Sequence, residues 1–239
     1  MAQVLTDPAS LPVGCHALGI YSDASEQESH AVRFLSGAPA GTPAVYFVHD
    51  PKIAEQYNAR LAHDVPDRAG SVVSLGHEQV EPDHGKLRPA KEVREYISHH
   101  PQGMTAGGDT LSMYLAPDTA DAHLEYESWF DDQPRDASRF ICPYDIRSIP
   151  IDAAPEILSD LGRHHSHVVL SSSPEPAVRL LQLFIFGTRA DVPDRLGADL
   201  RWAQEKEYLR PAGARDSLEL TDAGREIVRE WSDRTTVDW

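Results

Sequence analysis

The feature that most constrains this chain is the regular exchange of short apolar runs with amphipathic stretches between residue 14 and about residue 187. Thr42-Pro43-Ala44-Val45-Tyr46-Phe47-Val48 is almost continuously apolar, which suits a strand covered on both faces. Gly14 to Tyr21, Ser71 to Leu75, Arg139 to Asp145 and His167 to Leu170 read as further strands, and Gly103 to Asp109 as a strand ending in a glycine turn. Pro143 would lose a ladder donor and is expected near a strand end. Between the strands, helices are expected from Glu26 to Leu35, stopped at Gly37, and from Pro51 to about Ala62, capped by Asp50. Others are expected over Ala90 to Ser98, Thr119 to Phe130 (with Leu124 and Trp129 toward the core), Ala154 to Arg163 and Pro174 to Phe186. The last is so apolar that it must be covered on most sides. This order implies an α/β fold: a mainly parallel sheet with helices on both faces, joined by right-handed crossovers.

The chain has 239 residues, long enough for one large domain or a domain plus a small module. Hydrophobic residues at 41% and charged residues at 25% exclude wholesale disorder. The formal net charge is −16. Lysine occurs only at Lys52, Lys86, Lys91 and Lys206, and aspartate outnumbers glutamate. An acidic, lysine-poor surface fits a salt-adapted, halophilic cytoplasm, where screening removes the self-repulsion, with an acidic mesophilic protein as the alternative. No run of about 18 apolar residues is present, so no membrane span is expected. The first residues, MAQVLTDPASLPVG, show neither the basic patch nor the apolar stretch of a secretory signal, so a cytoplasmic location is expected. Cys15 and Cys142 stand far apart and read as two buried thiols in a reducing compartment. The histidines are dense at His99-His100 and His164-His165-Ser166-His167, yet no HxxxH or HExxH spacing occurs. They are expected at the surface or at helix ends, with no metal site.

In sheets of this kind ligands bind beyond the carboxyl ends of the strands. That rule points at Tyr21 to Glu26, His49 and Asp50, Asp109, and Tyr144 and Asp145. The first strand–helix turn, Tyr21-Ser22-Asp23-Ala24-Ser25-Glu26, has no GxxxxGK[ST] motif and no lysine. Asp23 and Glu26 would repel a triphosphate, so phosphate-loop hydrolysis is not expected. No GxSxG elbow is present either. The chain is therefore not expected to be an enzyme, and no cofactor is expected.

The order of His16 through Tyr21, Glu26, Val32 to Leu35, Val45-Tyr46, Tyr126-Glu127, Cys142-Pro143-Tyr144-Asp145 and Arg163-His164-His165 resembles the MEDS sensory domain. That domain is a relative of the RecA-like KaiC ATPases without their phosphate loop. The resemblance spans roughly residues 14–173 and departs where His165-Ser166 replaces the family's usual His-Pro. It implies a RecA-like fold and the sensing of small organic molecules, including hydrocarbon derivatives, alongside DNA-binding modules. A pocket at the strand ends lined by Tyr21, Tyr126, Cys142 and Tyr144 would offer apolar faces with polar handles. His16, Glu127 and Asp145 would orient a polar group, and Glu26 follows the first strand in the same pattern. Structural alternatives stand beside these roles. His16 also suits a satisfied core histidine, Glu127 an internal ion pair, and Tyr126 and Tyr144 simple packing. Asp145 suits either a loop cap or the place of an ancestral magnesium carboxylate.

Beyond Thr188 the pattern changes to a helix from Ala198 to Leu209, a turn, a short strand at Leu218-Glu219-Leu220 and a final helix capped by Thr221. Together with Leu220-Thr221-Asp222-Ala223-Gly224-Arg225 this is similar to the second half of a winged-helix regulator. Residues 188–239 carry nine basic and twelve acidic side chains, a milder balance than the rest of the chain. Arg195, Arg201, Lys206, Arg210 and Arg215 are the candidates for one basic face toward DNA. The expectation is a sensory α/β domain over residues 1–187 and a winged-helix-like module over 188–239, working as a ligand-sensing, homodimeric transcriptional regulator. Its rivals are a signalling adaptor whose module docks protein, and a degenerate nucleotide-binding protein.

Overall fold

Seven strands pair side by side in a computed structural model that describes residues 2–76, 80–83, 86–108, 126–130, 133, 137–213 and 216–235. Across the sheet they run β1 (Gln3–Leu5), β9 (His167–Val169), β2 (His16–Tyr21), β8 (Arg139–Asp145), β7 (Thr105–Gly108), β3 (Ala44–Val48) and β4 (Val72–Ser74). Every pairing in this sheet is parallel. In the register of β2 with β8, His16 lies opposite Phe140, Leu18 opposite Cys142 and Ile20 opposite Tyr144. Strand alternation therefore sends His16, Leu18, Ile20, Phe140, Cys142 and Tyr144 to one face. Ala17, Tyr21 and Ile141 go to the other.

The second face is covered by α1 (Ala24–Ser36) and α2 (Pro51–Asp64), whose Val32, Phe34, Leu35, Tyr57 and Leu61 bury against Tyr46, Val48 and Ile141. Asp23 opens α1 by accepting from the Glu26 amide at 2.8 Å, and Asp50 opens α2 by accepting from the Lys52 amide at 2.8 Å. The first face is covered by α3 (Lys91–Ser98), α4 (described over residues 126–130), α5 (Ala154–His164) and α6 (Pro176–Leu183). Gly162 lets α5 approach the turn 184–186: a Cβ there would lie 1.9 Å from the Ile185 carbonyl oxygen.

The layered α/β fold thus forms as the alternation predicts, with four local differences. β1 adds an edge strand beside β9, and β5 (Val80–Asp83) pairs antiparallel with β6 (Lys86–Pro89), both from short runs with little apolar signal. The helix expected to reach Phe186 ends at Leu183; a tight 3-10 turn follows, and Gly187, at φ +72°, redirects the chain. Pro143 lies inside β8 rather than at its end. It is tolerated because pairing with β7 stops at Ile141, leaving β8 a strand neighbour on one side only. Asp109, residues 119–125 and Leu124 lie outside the described residues.

The C-terminal part is α7 (Gly197–Glu205), the antiparallel hairpin β10 (Leu209–Ala212) and β11 (Ser217–Leu220), and α8 (Asp222–Thr235). α7 stops short of the expected Leu209, and Glu207, at φ +56°, turns the chain into the hairpin. Thr221 caps α8 as expected, its hydroxyl accepting from the Gly224 amide at 3.1 Å. This unit shares its core with the α/β layers: Leu200, Ala203, Leu218, Val228 and Trp231 bury in the same cluster as Leu180 and Leu181 of α6. Arg179 of α6 ties them together, donating from Nε to Asp199 at 2.8 Å and lying 4.2 Å above the Trp202 ring. Among the described residues no helix is long and apolar enough to cross a membrane.

Candidate functional site

The first face of the sheet carries a polar cluster inside an apolar core. β2 supplies His16 and β8 supplies Cys142 and Tyr144; α4 supplies Glu127, and His165 stands at the end of α5. His16, Tyr144 and Glu127 are fully shielded from solvent, and Cys142 and His165 nearly so. Tyr144 donates its hydroxyl to Oε1 of Glu127. Oε2 of Glu127 lies 3.3 Å from Nε2 of His16 and 3.3 Å from Nε2 of His165. Nε2 of His16 is 3.1 Å from Sγ of Cys142. The two imidazoles sit with ring centroids 4.2 Å apart.

One hydrogen bond fixes the neutral tautomer of His165. Its Nδ1 donates to the Leu161 carbonyl, 2.7 Å away, so in the neutral ring Nε2 carries a lone pair. That lone pair faces the Glu127 carboxylate. Among the described residues neither Glu127 Oε2 nor His165 Nε2 has a well-aligned hydrogen-bond partner, although both are buried. Such a pair is costly unless something sits between.

Burial alone would raise the Glu127 carboxyl, yet the His165 and His16 imidazoles hold it well below the usual carboxylate range. Burial pushes the His165 imidazole down, and His16 adds to this while Glu127 opposes it. Burial and then Glu127 push the Cys142 thiol well up, and the Tyr144 phenol likewise. The donor atoms of His16, Glu127, Cys142 and His165 all lie within 4.8 Å of one another, an arrangement able to hold a proton, a polar group or a cation.

Beside Cys142 lies a small apolar cavity of about 20 Å³, walled by Phe47, Val93, Ala106, Tyr126, Phe130 and Phe140 among others. Tyr126 packs edge-on against Phe130 and brings its ring to this wall. The structure thus joins His16, Tyr126, Glu127, Cys142 and Tyr144.

Tyr21, Glu26 and Asp145 lie apart from them. Tyr21 follows Ile20, the register partner of Tyr144, and so points to the opposite face. Asp145 is buried, but its carboxylate is taken by Arg147, whose Nε lies 2.9 Å and 3.1 Å from the two oxygens. It also accepts from the Arg147 amide at 2.9 Å, which is the loop-cap alternative.

Glu26 closes the strand ends. Its carboxylate accepts from the Ser22 amide at 3.0 Å, the Ser171 hydroxyl at 2.6 Å, and the Ser172 amide and hydroxyl at 2.5 Å and 2.9 Å. The turn where a helix N-terminus could bind a phosphate thus carries the chain's own carboxylates, Asp23 and Glu26, beside an open cleft. Burial opposes its ionisation, but these donors outweigh it and lower the Glu26 carboxyl.

The histidine expectations need correction. His165 stands at a helix end as expected but is buried there, because α5 ends beneath the sheet, and His167 is neither superficial nor at a helix end but buried in β9. His165 was not among the candidate site residues. The signal available was the junction itself: adjacent histidines at a helix end point apart, so one of the pair can turn inward. Cys15 is partly exposed rather than buried.

Of the basic candidates, Arg215 lies outside the described residues. Arg201 and Lys206 are exposed. Lys206, Arg210 and Arg225 line one open groove at the hairpin base, with Arg210 paired to Glu219 at 3.0 Å. Arg195 is turned the other way, its guanidinium 3.4 Å from the Val4 and Leu5 carbonyls of β1.

No family model matches the chain, and no curated protein matches it. Among solved structures it is similar to a protein from Pyrococcus horikoshii OT3, described as the subject of a structural study. The two are 15% identical with a TM-score of 0.45, over 69% of this chain and 84% of that one.

Proposed function

We propose that the chain is a small-molecule sensor of the RecA-like, MEDS type, whose guest enters the apolar cavity beside Cys142 and whose C-terminal helix–hairpin–helix unit, a winged-helix module in this reading, passes the signal to DNA. The observation that carries it is an aromatic-walled cavity with Cys142, the thiol of the buried polar cluster, in one wall. This is the usual build of a specific ligand pocket. A cavity of about 20 Å³ takes a guest of about one or two heavy atoms before its walls move. That favours derivatives of very short hydrocarbons. The acidic strand-end turn supports a sensor over a nucleotide hydrolase, since Glu26 takes the Ser22 amide and Asp23 takes the Glu26 amide.

A packed route supports coupling. His165 ends α5, Gly162 of α5 abuts Ile185, and the turn 184–186 leads from α6 to the C-terminal unit. A guest regulates only if it binds two arrangements of this route unequally.

The test is a thermal-shift and ligand-observed NMR titration with short-chain alcohols, thiols and alkyl halides. At least one class is expected to raise the melting temperature, and Ala106→Val, which fills the cavity, is expected to abolish the rise. No shift with any class at millimolar concentration removes the sensor reading.

The adaptor reading has its own support. Arg210 is paired and Arg195 faces β1, which leaves fewer cations for phosphate. Fluorescence anisotropy on duplex DNA separates the two. A steep loss of affinity with salt supports the DNA reading. No binding at low salt, with and without guest, favours a protein partner.

A further inference from the structure

We propose that His16 Nε2, His165 Nε2, Cys142 Sγ and Glu127 Oε2 form the binding site of one divalent transition-metal ion of the zinc class. The inference goes beyond the sensor reading and holds whether or not the adjoining cavity takes an organic guest.

Four observations converge on it. The first is spacing. Metal–ligand lengths of about 2.0–2.3 Å around a tetrahedron separate neighbouring donor atoms by roughly 3.3–3.7 Å. Nε2 of His16 stands 3.3 Å from Glu127 Oε2 and 3.1 Å from Cys142 Sγ, and Nε2 of His165 stands 3.3 Å from the same carboxylate oxygen. The second is orphaned polarity. Glu127 Oε2 and His165 Nε2 are both buried, both without a well-aligned hydrogen bond among the described residues, and aimed at one another. Two lone pairs do not attract; a cation between them satisfies both.

The third is the outer shell. Histidine ligands normally donate their second ring nitrogen to a carbonyl or carboxylate, and ligating carboxylates are themselves hydrogen-bonded. His165 donates Nδ1–H to the Leu161 carbonyl at 2.7 Å, and Tyr144 donates to the other oxygen of Glu127. The fourth is charge. A divalent ion with one thiolate, one carboxylate and two neutral imidazoles sums to zero, which suits a site cut off from water. The Cys142 proton leaves to solvent on loading, as it does whenever a thiol becomes a ligand. A set of two nitrogens, one sulfur and one oxygen fits zinc and excludes magnesium and calcium, which prefer oxygen.

The rival occupant is a proton, giving a His165 imidazolium paired with Glu127 and no metal. The experiment uses the full chain, stripped with chelator and then dialysed against zinc(II) or cobalt(II). Expected are one retained equivalent by mass spectrometry and, with cobalt, four-coordinate visible bands plus a sulfur-to-cobalt charge-transfer band in the near ultraviolet. Cys142→Ser should remove that band. Glu127→Gln, nearly isosteric, should weaken binding about ten-fold or more. His63→Gln, at a histidine exposed to solvent, should change nothing. Should the cluster variants fail to fold by circular dichroism, X-ray absorption on the zinc-loaded wild type still decides: one sulfur and three light ligands are expected, and an all-nitrogen/oxygen shell overturns the site. Folded protein that retains no metal, or metal binding indifferent to Cys142→Ser and Glu127→Gln, overturns it as well. None of these readouts uses an organic guest, so failure of the sensor reading leaves them standing.

Discussion

Two carboxylates in this molecule are each ringed by partners, and they differ in what surrounds them. Glu26, half-buried at the strand ends, accepts from two backbone amides and three hydroxyls. Every donor is aimed at it, and it staples the β2–α1 turn to the segment after β9. Glu127, fully buried on one sheet face, meets one hydroxyl and two imidazole nitrogens, and one of its oxygens is left without a well-aligned bond. A carboxylate satisfied by its own chain is a structural clamp. A buried one satisfied on one oxygen alone is a site waiting for a further partner. The sequence offers both as the same residue type in the same motif order, and only their surroundings separate them.

The sharpest way to break this contrast is to remove Glu127. Glu127→Ala strands Tyr144, His16 and His165 in an apolar core and is expected to cost about 3–5 kcal/mol in urea unfolding. A loss under about 1 kcal/mol would mean the cluster is not the buried network described here. Next comes Tyr144→Phe, which removes the donor to the oxygen facing away from the imidazoles. An expected loss of about 1.5–3 kcal/mol by the same measurement reflects a hydrogen bond to a charged group.

The smallest change is expected from Glu26→Gln. It keeps the shape of the clamp and weakens its charge-assisted bonds, costing about 1 kcal/mol at neutral pH because half the group faces water. The sign of its pH dependence follows from a carboxyl that folding lowers below its ordinary value of 4.5. The stabilisation from ionised Glu26 is present above that unfolded value and is lost as pH falls through the lower folded one. The stability gap between wild type and Glu26→Gln should thus hold from pH 7 to about 5 and close below about 4.5. A gap that widens on acidification would show that the donors around Glu26 do not favour its charge.

Much of the fold was legible because it rests on local chemistry. Asp50-Pro51 marked a helix start, and Val45 to Val48 marked a strand buried on both faces; both follow from propensity and period alone, whereas the cap at Asp23 came only with the structure. Pro143 misled because a proline's cost depends on which neighbour strand is present, and β7 happens to stop short. The site was half legible. Tyr126-Glu127 and Cys142-Pro143-Tyr144 were picked out by the resemblance to the MEDS domain, and Tyr21, Glu26 and Asp145 were grouped with them by that resemblance and by strand-end position. The register of β2 against β8 separates Tyr21 from Tyr144 by one residue, which is enough to put them on opposite faces. His165 escaped because the groups its Nε2 meets, Glu127 and His16, come from other elements far from it along the chain, and no spacing motif records such a meeting.

By itself the sequence determined the alternation of elements, their caps, the two-sided burial of the strands and the missing phosphate loop. Each of these is written within a few neighbouring residues. Only the tertiary structure decided which polar side chains share the dark side of the sheet. Parallel pairing sets β8 beside β2 although more than a hundred residues separate them along the chain, and the short β8–α5 connection then returns the end of α5 to the same face. The free energy of a buried charge depends on what those crossovers deliver to it, and not on its neighbours along the chain.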